Sequence, residues 1–205
     1  MRVGVIVAGG YSTRFETGDK ALADIAGKPM LRHVADRLSP VIDALVINGR
    51  AEQMNAFADA MEGFVHPVEY ALDEQTGRGP VAGIAAGLAA VPIDAKHVVV
   101  VACDMPFVDS SIIERLFELA MATPADAIVP RTDDGFYQVL HAVYSPRPMV
   151  DACRRTLIDG DPKVLAPLEY LEVEVIDSDA LSGLERSVEN VNTRESIERA
   201  RHFFD

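Results

Sequence analysis

Short apolar runs alternate along the chain with segments whose apolar positions recur every three to four residues. Val3 to Val7 is nearly continuous in apolar character and is closed by Gly9-Gly10, the pattern of a strand buried on both faces. Ala44 to Ile47 and His97 to Ala102 repeat this pattern, the second most strongly, and a weaker run spans Phe64 to Ala71. Later strands are predicted at Ala127 to Val129, Val139 to Tyr144 and Leu171 to Ile176. Helical spacing is clearest at Pro29 to Leu38, where Met30, Leu31, Val34, Ala35 and Leu38 share a face and a proline sits in the first turn. Further helices are predicted at Glu52 to Met61, Pro80 to Ala90, Ser110 to Met121, Met149 to Leu157 and Thr193 to Phe203. Asp109 reads as the cap of the helix at Ser110, and Asn192 with Glu195 as a capping-box-like start of the last helix. Strands alternating with helices predict an α/β fold with three αβα layers around a mostly parallel sheet. No repeat, low-complexity stretch or linker interrupts the pattern, so residues 1–205 are expected to form one domain. In such sheets ligands bind beyond the carboxyl ends of the strands, which directs attention to the residues after Val7, Ile47, Ala71, Ala102 and Val129.

Composition narrows the function classes. A net charge of −13 excludes non-specific nucleic-acid binding and docking to anionic membranes, both of which need basic surface. Hydrophobic residues at 49% with aromatics at only 6% and no Trp call for an aliphatic core. Two cysteines, Cys103 and Cys153, suit neither a disulfide framework nor a cysteine zinc site, and Cys103 reads as a small buried residue. No apolar run approaches the length of a membrane span, and Gly9-Gly10 follows the first apolar run where a leader would have its cleavage site; a cytoplasmic protein is expected. The four Lys and fifteen Arg stand against eighteen Asp and fourteen Glu. Such a low-Lys, Asp-rich balance fits either a salt-rich cytoplasm, where screening removes self-repulsion, or an acidic protein from a GC-rich genome. His33, His66, His97 and His202 are isolated, and the acidic stretch Glu169 to Glu174 alternates like a half-exposed edge strand.

Four stretches carry candidate chemistry. After the first strand, Ala8-Gly9-Gly10 allows a sharp turn with exposed N–H groups, Ser12 and Thr13 add hydroxyls, and Arg14 and Lys20 can bracket a polyphosphate. This loop is neither a P-loop nor a dinucleotide fingerprint, since it lacks the GK[ST] helix entry and a third glycine at the right spacing. Asp104, in Cys103-Asp104-Met105-Pro106, stands at the end of the strongest strand, where a hard carboxylate oxygen can hold Mg²⁺ between phosphates. Gly77-Arg78-Gly79-Pro80-Val81-Ala82-Gly83-Ile84, preceded by Asp73, is either a nucleotide-facing helix start or a close helix–sheet packing site. Asn190-Val191-Asn192 offers amide side chains to a metal or phosphate, or serves only to start the last helix.

Together these stretches resemble the molybdenum cofactor guanylyltransferases, the MobA family, whose fold is the Rossmann-like nucleoside-diphosphosugar transferase type. The matching pieces are Ala8-Gly9-Gly10 with Ser12 and Arg14, Asp19-Lys20-Ala21-Leu22, Gly27-Lys28-Pro29, Gly79-Pro80-Val81-Ala82-Gly83-Ile84, Cys103-Asp104-Met105-Pro106-Phe107 and Asn190-Val191-Asn192-Thr193. The resemblance implies Mg²⁺-dependent transfer of GMP from GTP to the terminal phosphate of molybdopterin, with release of pyrophosphate. It implies GTP contacts from Ala8, Gly9, Gly10, Ser12, Lys20, Asn48, Asp73, Gly79 and Asp104, catalytic roles for Arg14, Lys20 and Asp104, and Asp104 as metal ligand. Asn190 and Asn192, with Gln138 and His141, are implied on the pterin side. It further implies transient contact with cofactor-synthesis proteins or apo-molybdoenzymes. The sequence departs from the family pattern at Phe15-Glu16-Thr17-Gly18 and in having a single Asn at position 48. Alternatives are another nucleotidyltransferase of this fold, acting with CTP or on a cobalamin or deazaflavin precursor, and a non-catalytic nucleotide binder.

Overall fold

The structure is a computed structural model, and it describes residues 1–10, 19–73, 79–160 and 163–204. Strands β1 (Arg2–Val7), β4 (Ala44–Gly49), β5 (Val68–Leu72), β6 (His97–Ala102), β7 (Ala127–Arg131), β8 (His141–Tyr144) and β9 (Val173–Asp177) form one sheet in the order β5-β4-β1-β6-β8-β7-β9. A two-residue hairpin, β2 (Asp24–Ile25) with β3 (Lys28–Pro29), stands apart from it. Every pairing in the large sheet is parallel except those of β8, which runs against both β6 and β7. The short connection from β7 to β8 explains the reversal, because a parallel return needs a crossover of a dozen or more residues.

The central strands are apolar on both faces because both faces are covered. Along β6, Val99 and Val101 join the core under helices α1 (Met30–Leu38), α2 (Met54–Ala60) and α4 (Ser110–Ala122). Val98 and Val100 point the other way, into the core under α3 (Pro80–Ala89) and α5 (Pro146–Asp159). These aliphatic faces supply the main stabilisation, each fully buried Val or Leu contributing about 1.5–3 kcal/mol relative to exposure. A third cluster, built from Ile25, Met30, Phe107, Val191, Ile197 and Ala200, docks the C-terminal helix α7 (Arg194–Phe204) against the β2–β3 hairpin. A one-turn helix, α6 (Leu184–Ser187), precedes it.

Several expectations change on inspection. Strand β5 covers Val68–Leu72 rather than Phe64 to Ala71, and β8 begins at His141 rather than Val139. Helix α5 starts at Pro146 rather than Met149, with proline in its first turn. The acidic stretch from Glu169 is not all strand: Ala166–Tyr170 is a 3-10 helix, and the edge strand begins at Val173. Asn192 does not cap α7. Thr193 does, through a reciprocal pair in which Ser196 N donates to Thr193 Oγ1 (3.1 Å) and Thr193 N to Ser196 Oγ (2.9 Å). Asp109 caps α4 as expected, accepting from Ser111 N at 2.8 Å.

Candidate active site

The chain order places β4 and β5 on one side of β1 and β6 on the other, so the sheet's switch point lies between β1 and β6. A cleft of about 380 Å³ opens there, at the carboxyl ends of these strands. Ala8, Gly9 and Gly10 form one wall immediately after β1, and Cys103 and Asp104 follow β6 on the other. Two backbone hydrogen bonds fix this edge, Ala8 N to Asn48 O at 2.9 Å and Cys103 N to Val7 O at 3.2 Å.

Asp19 starts a 3-10 turn, Lys20–Leu22, by accepting from Ala21 N at 3.0 Å, which sends the Lys20 side chain back across the cleft. Its Nζ lies 2.6 Å from Asp104 Oδ2 and 2.7 Å from Asn192 Oδ1. Three stretches far apart in sequence thus meet at one ammonium. The Asn192 segment is held in place because Val191 N donates to the Asp104 carbonyl at 2.8 Å. With Thr193 capping α7, the Asn192 side chain is released from the helix start and reaches Lys20 instead.

Asn48 and Asp73 form the floor of the cleft. Asn48 is fully buried on β4; its Nδ2 donates to Ala71 O at 3.2 Å, while its Oδ1 has no hydrogen-bond partner among the described residues. A buried acceptor left unpaired costs about 1–3 kcal/mol, which marks this oxygen as one that calls for a donor. Asp73 follows β5 and is anchored by its own N–H to Gly49 O at 2.8 Å. A methyl group on Gly9 would lie 3.3 Å from both Asn48 Oδ1 and Asp73 Oδ2, so the two acceptor oxygens converge beside the glycine turn. Gly79 closes this side, with a φ of 78° that favours glycine, and leads through Pro80 into α3. Burial and the neighbouring Asp104 carboxylate push the Cys103 thiol up, so it is no nucleophile.

A family model described as a MobA-like NTP transferase domain matches residues 4–173. A protein of Natronomonas pharaonis named "Probable molybdenum cofactor guanylyltransferase" is 46% identical over 98% of this chain and 96% of its own. The chain belongs to the molybdenum cofactor guanylyltransferase family. It is therefore a nucleotidyltransferase. A molybdenum cofactor guanylyltransferase of Pseudomonas putida is 33% identical over 95% of this chain and 94% of its own. The crystal structure of molybdopterin-guanine dinucleotide biosynthesis protein A from Archaeoglobus fulgidus superposes with a TM-score of 0.78 at 28% identity, covering 100% of this chain and 98% of that one.

Of the residues that family resemblance singled out, Ala8, Gly9, Gly10, Lys20, Asn48, Asp73, Gly79, Asp104 and Asn190 line the cleft, and Asn192 touches Lys20 at its rim. Ser12 and Arg14, with the Phe15-Glu16-Thr17-Gly18 departure, lie outside the described residues. Gln138 turns back on its own loop, donating to Thr132 Oγ1 (3.2 Å) and Phe136 O (3.3 Å). His141 is fully buried on β8, with Nε2 3.2 Å from Ser187 Oγ, and does not line the cleft. Two residues that hold the family's glycine turn were not anticipated: Arg50 and Gln53, just past β4. Their position at the carboxyl edge of a buried strand, three residues apart before a helix, was the signal available in the sequence.

Proposed function

We propose that this chain transfers GMP from GTP to the terminal phosphate of molybdopterin and releases pyrophosphate. The observation that carries the reading is the convergence of Asn48 Oδ1 and Asp73 Oδ2 beside the glycine turn. Guanine presents N1–H and a 2-amino group on one edge, matching a pair of acceptors, whereas cytosine has no N1–H to offer. A phosphate oxygen of the acceptor attacks the α-phosphorus of GTP, the bond to the β-phosphate breaks, and the electron pair leaves with pyrophosphate. No side-chain nucleophile is needed, so catalysis is positioning plus neutralisation of developing charge.

The residues present fit Mg²⁺. Asp104 offers a carboxylate, and Asn190 and Asn192 offer amide oxygens; among the described residues no group of three or more His, Cys, Asp or Glu side chains is placed to hold a metal ion. Such a sparse, all-oxygen set suits an ion that keeps several waters and takes its other ligands from substrate phosphates. When bound, the ion supplies charge neutralisation between the phosphates. Lys20 brings the protein's own cation to the same place, and the N–H groups of Gly9 and Gly10 supply fixed dipoles on the opposite wall. The acceptor phosphate enters past Asn190 and Asn192, and the product passes to its users through transient protein contacts. No helix among the described residues is long and apolar enough to cross a membrane, and the two free, buried cysteines are consistent with a reducing cytoplasm.

Nucleotide selectivity tests the donor. Calorimetric titration with GTP and CTP is expected to show a preference for GTP of about tenfold or more, and Asp73→Asn is expected to remove most of it. Equal affinity for both nucleotides contradicts the assignment.

A further inference from the structure

A turn that binds phosphate through its N–H groups must have its carbonyls directed elsewhere, because each peptide unit is planar and carries C=O and N–H on opposite sides. Here every carbonyl of the Ala8-Gly9-Gly10 turn is held from behind. Gln53 Nε2 donates to Ala8 O at 3.2 Å, and Arg50 Nη1 donates to Gly9 O at 2.8 Å and Gly10 O at 3.0 Å. Neither side chain lines the cleft, so these bonds pull the carbonyls away from it and turn the N–H groups of Gly9 and Gly10 toward it.

The same two side chains hold the far end of the loop. Gln53 Nε2 also donates to the Asp19 carboxylate, and Arg50 Nη2 lies 3.7 Å from it. Asp19 in turn sets the 3-10 turn that aims Lys20. The pair is itself rigid: Arg50 N donates to Gln53 Oε1 at 2.7 Å, and Arg50 Nε to Glu52 Oε1 at 2.8 Å. Only 12% of the Arg50 side chain is exposed. Because Glu52 and Asp19 balance the guanidinium charge, Arg50 adds little net field; its contribution is orientation, through a planar fork that a lysine ammonium does not reproduce.

We infer that Arg50, supported by Gln53, is a positioning residue that aligns both ends of the phosphate loop, the glycine N–H groups and Lys20, for the triphosphate. This rests on GTP being the donor. The test compares GTP with guanosine, which shares the base and ribose but has no phosphates, by titration against the wild-type protein, Arg50→Met and Arg50→Lys. Loss of the brace is expected to weaken GTP binding about tenfold and leave guanosine within about twofold, with Arg50→Lys failing to restore it. Gln53→Met, which leaves Arg50 in place, is expected to give a smaller loss confined to GTP and keeps the test readable if Arg50→Met does not fold. Parallel loss of both ligands, unchanged GTP affinity in folded variants, or full rescue by Arg50→Lys overturns the inference. Wild-type protein that binds no GTP overturns the donor assignment, and the brace with it, before any variant is compared.

Discussion

Gly83 separates packing from ligand recognition within one helix. It is the fourth residue of α3, and a Cβ there would lie 2.6 Å from Asn48 Oδ1 and 3.0 Å from Val7 Cγ1, the first some 0.8 Å short of ordinary contact. Asn48 yields only at a cost, being fully buried and tied to Ala71 O. Overpacking of this kind costs about 1–3 kcal/mol. Replacing a helical glycine by alanine returns about 1 kcal/mol of propensity. The net loss is therefore about 1 kcal/mol, or about 2–4 °C in Tm for a chain of this size. Gly87→Ala makes a comparable clash, 2.5 Å from Val5 Cγ1, but comes no nearer than 3.7 Å to Asn48, at its Cβ. Both variants are expected to melt slightly lower, while only Gly83→Ala displaces the Asn48 carboxamide and weakens GTP binding, by about tenfold. Thermal melting paired with GTP calorimetry reads both effects. If Gly83→Ala binds GTP normally, or if the two variants lose affinity equally, Asn48 is not the floor contact described above.

Asp104→Ala removes the carboxylate that Lys20 meets at 2.6 Å and is expected to slow pyrophosphate release by about 100-fold or more, read in a coupled phosphate assay. Burial lowers the His141 pKa to about 4, with Asp109 partly opposing. The unfolded chain then takes up a proton that the folded one refuses, so this contribution to stability is complete above about pH 6.5 and is lost as pH falls toward 4. Melts of His141→Gln across that window are expected to show a shallower pH slope than wild type; an identical slope contradicts the burial argument. Thr193→Ala should cost about 1 kcal/mol by uncapping α7, measured by urea denaturation. With a net charge of −13, Tm and activity are expected to rise with KCl toward molar concentrations, and an optimum at low salt refutes the salt-adapted reading of the composition.

Burial on both faces made the central strands legible, since a strand covered on both sides is apolar along its length, as His97 to Ala102 is. Element ends were less so. Pro146 and Pro148 hide the first turn of α5, where proline is tolerated but apolar periodicity has not begun. The reversal of β8 is a property of connection length rather than of residue pattern. At the site, glycines, Lys20 and Asp104 were recognisable by type and position, because few other roles call for them at a strand's carboxyl end. Asn192 was ambiguous, since a helix start and a ligand contact want the same side chain; the neighbouring Thr193–Ser196 pair takes the helix start and leaves the Asn192 side chain on Lys20. Arg50 and Gln53 were hard to recognise because they bond backbone carbonyls of the turn, and only their place just past a buried strand hints at it.

The central claim is most directly tested by mass spectrometry of the products formed from molybdopterin cofactor, Mg²⁺ and either GTP or CTP, at low and at molar KCl. The account predicts a guanine dinucleotide with GTP alone, absent when Asp104→Ala replaces the wild-type protein. A cytosine dinucleotide, or no dinucleotide from a protein that still binds Mg²⁺–GTP, contradicts it and assigns the cleft to a different donor or acceptor.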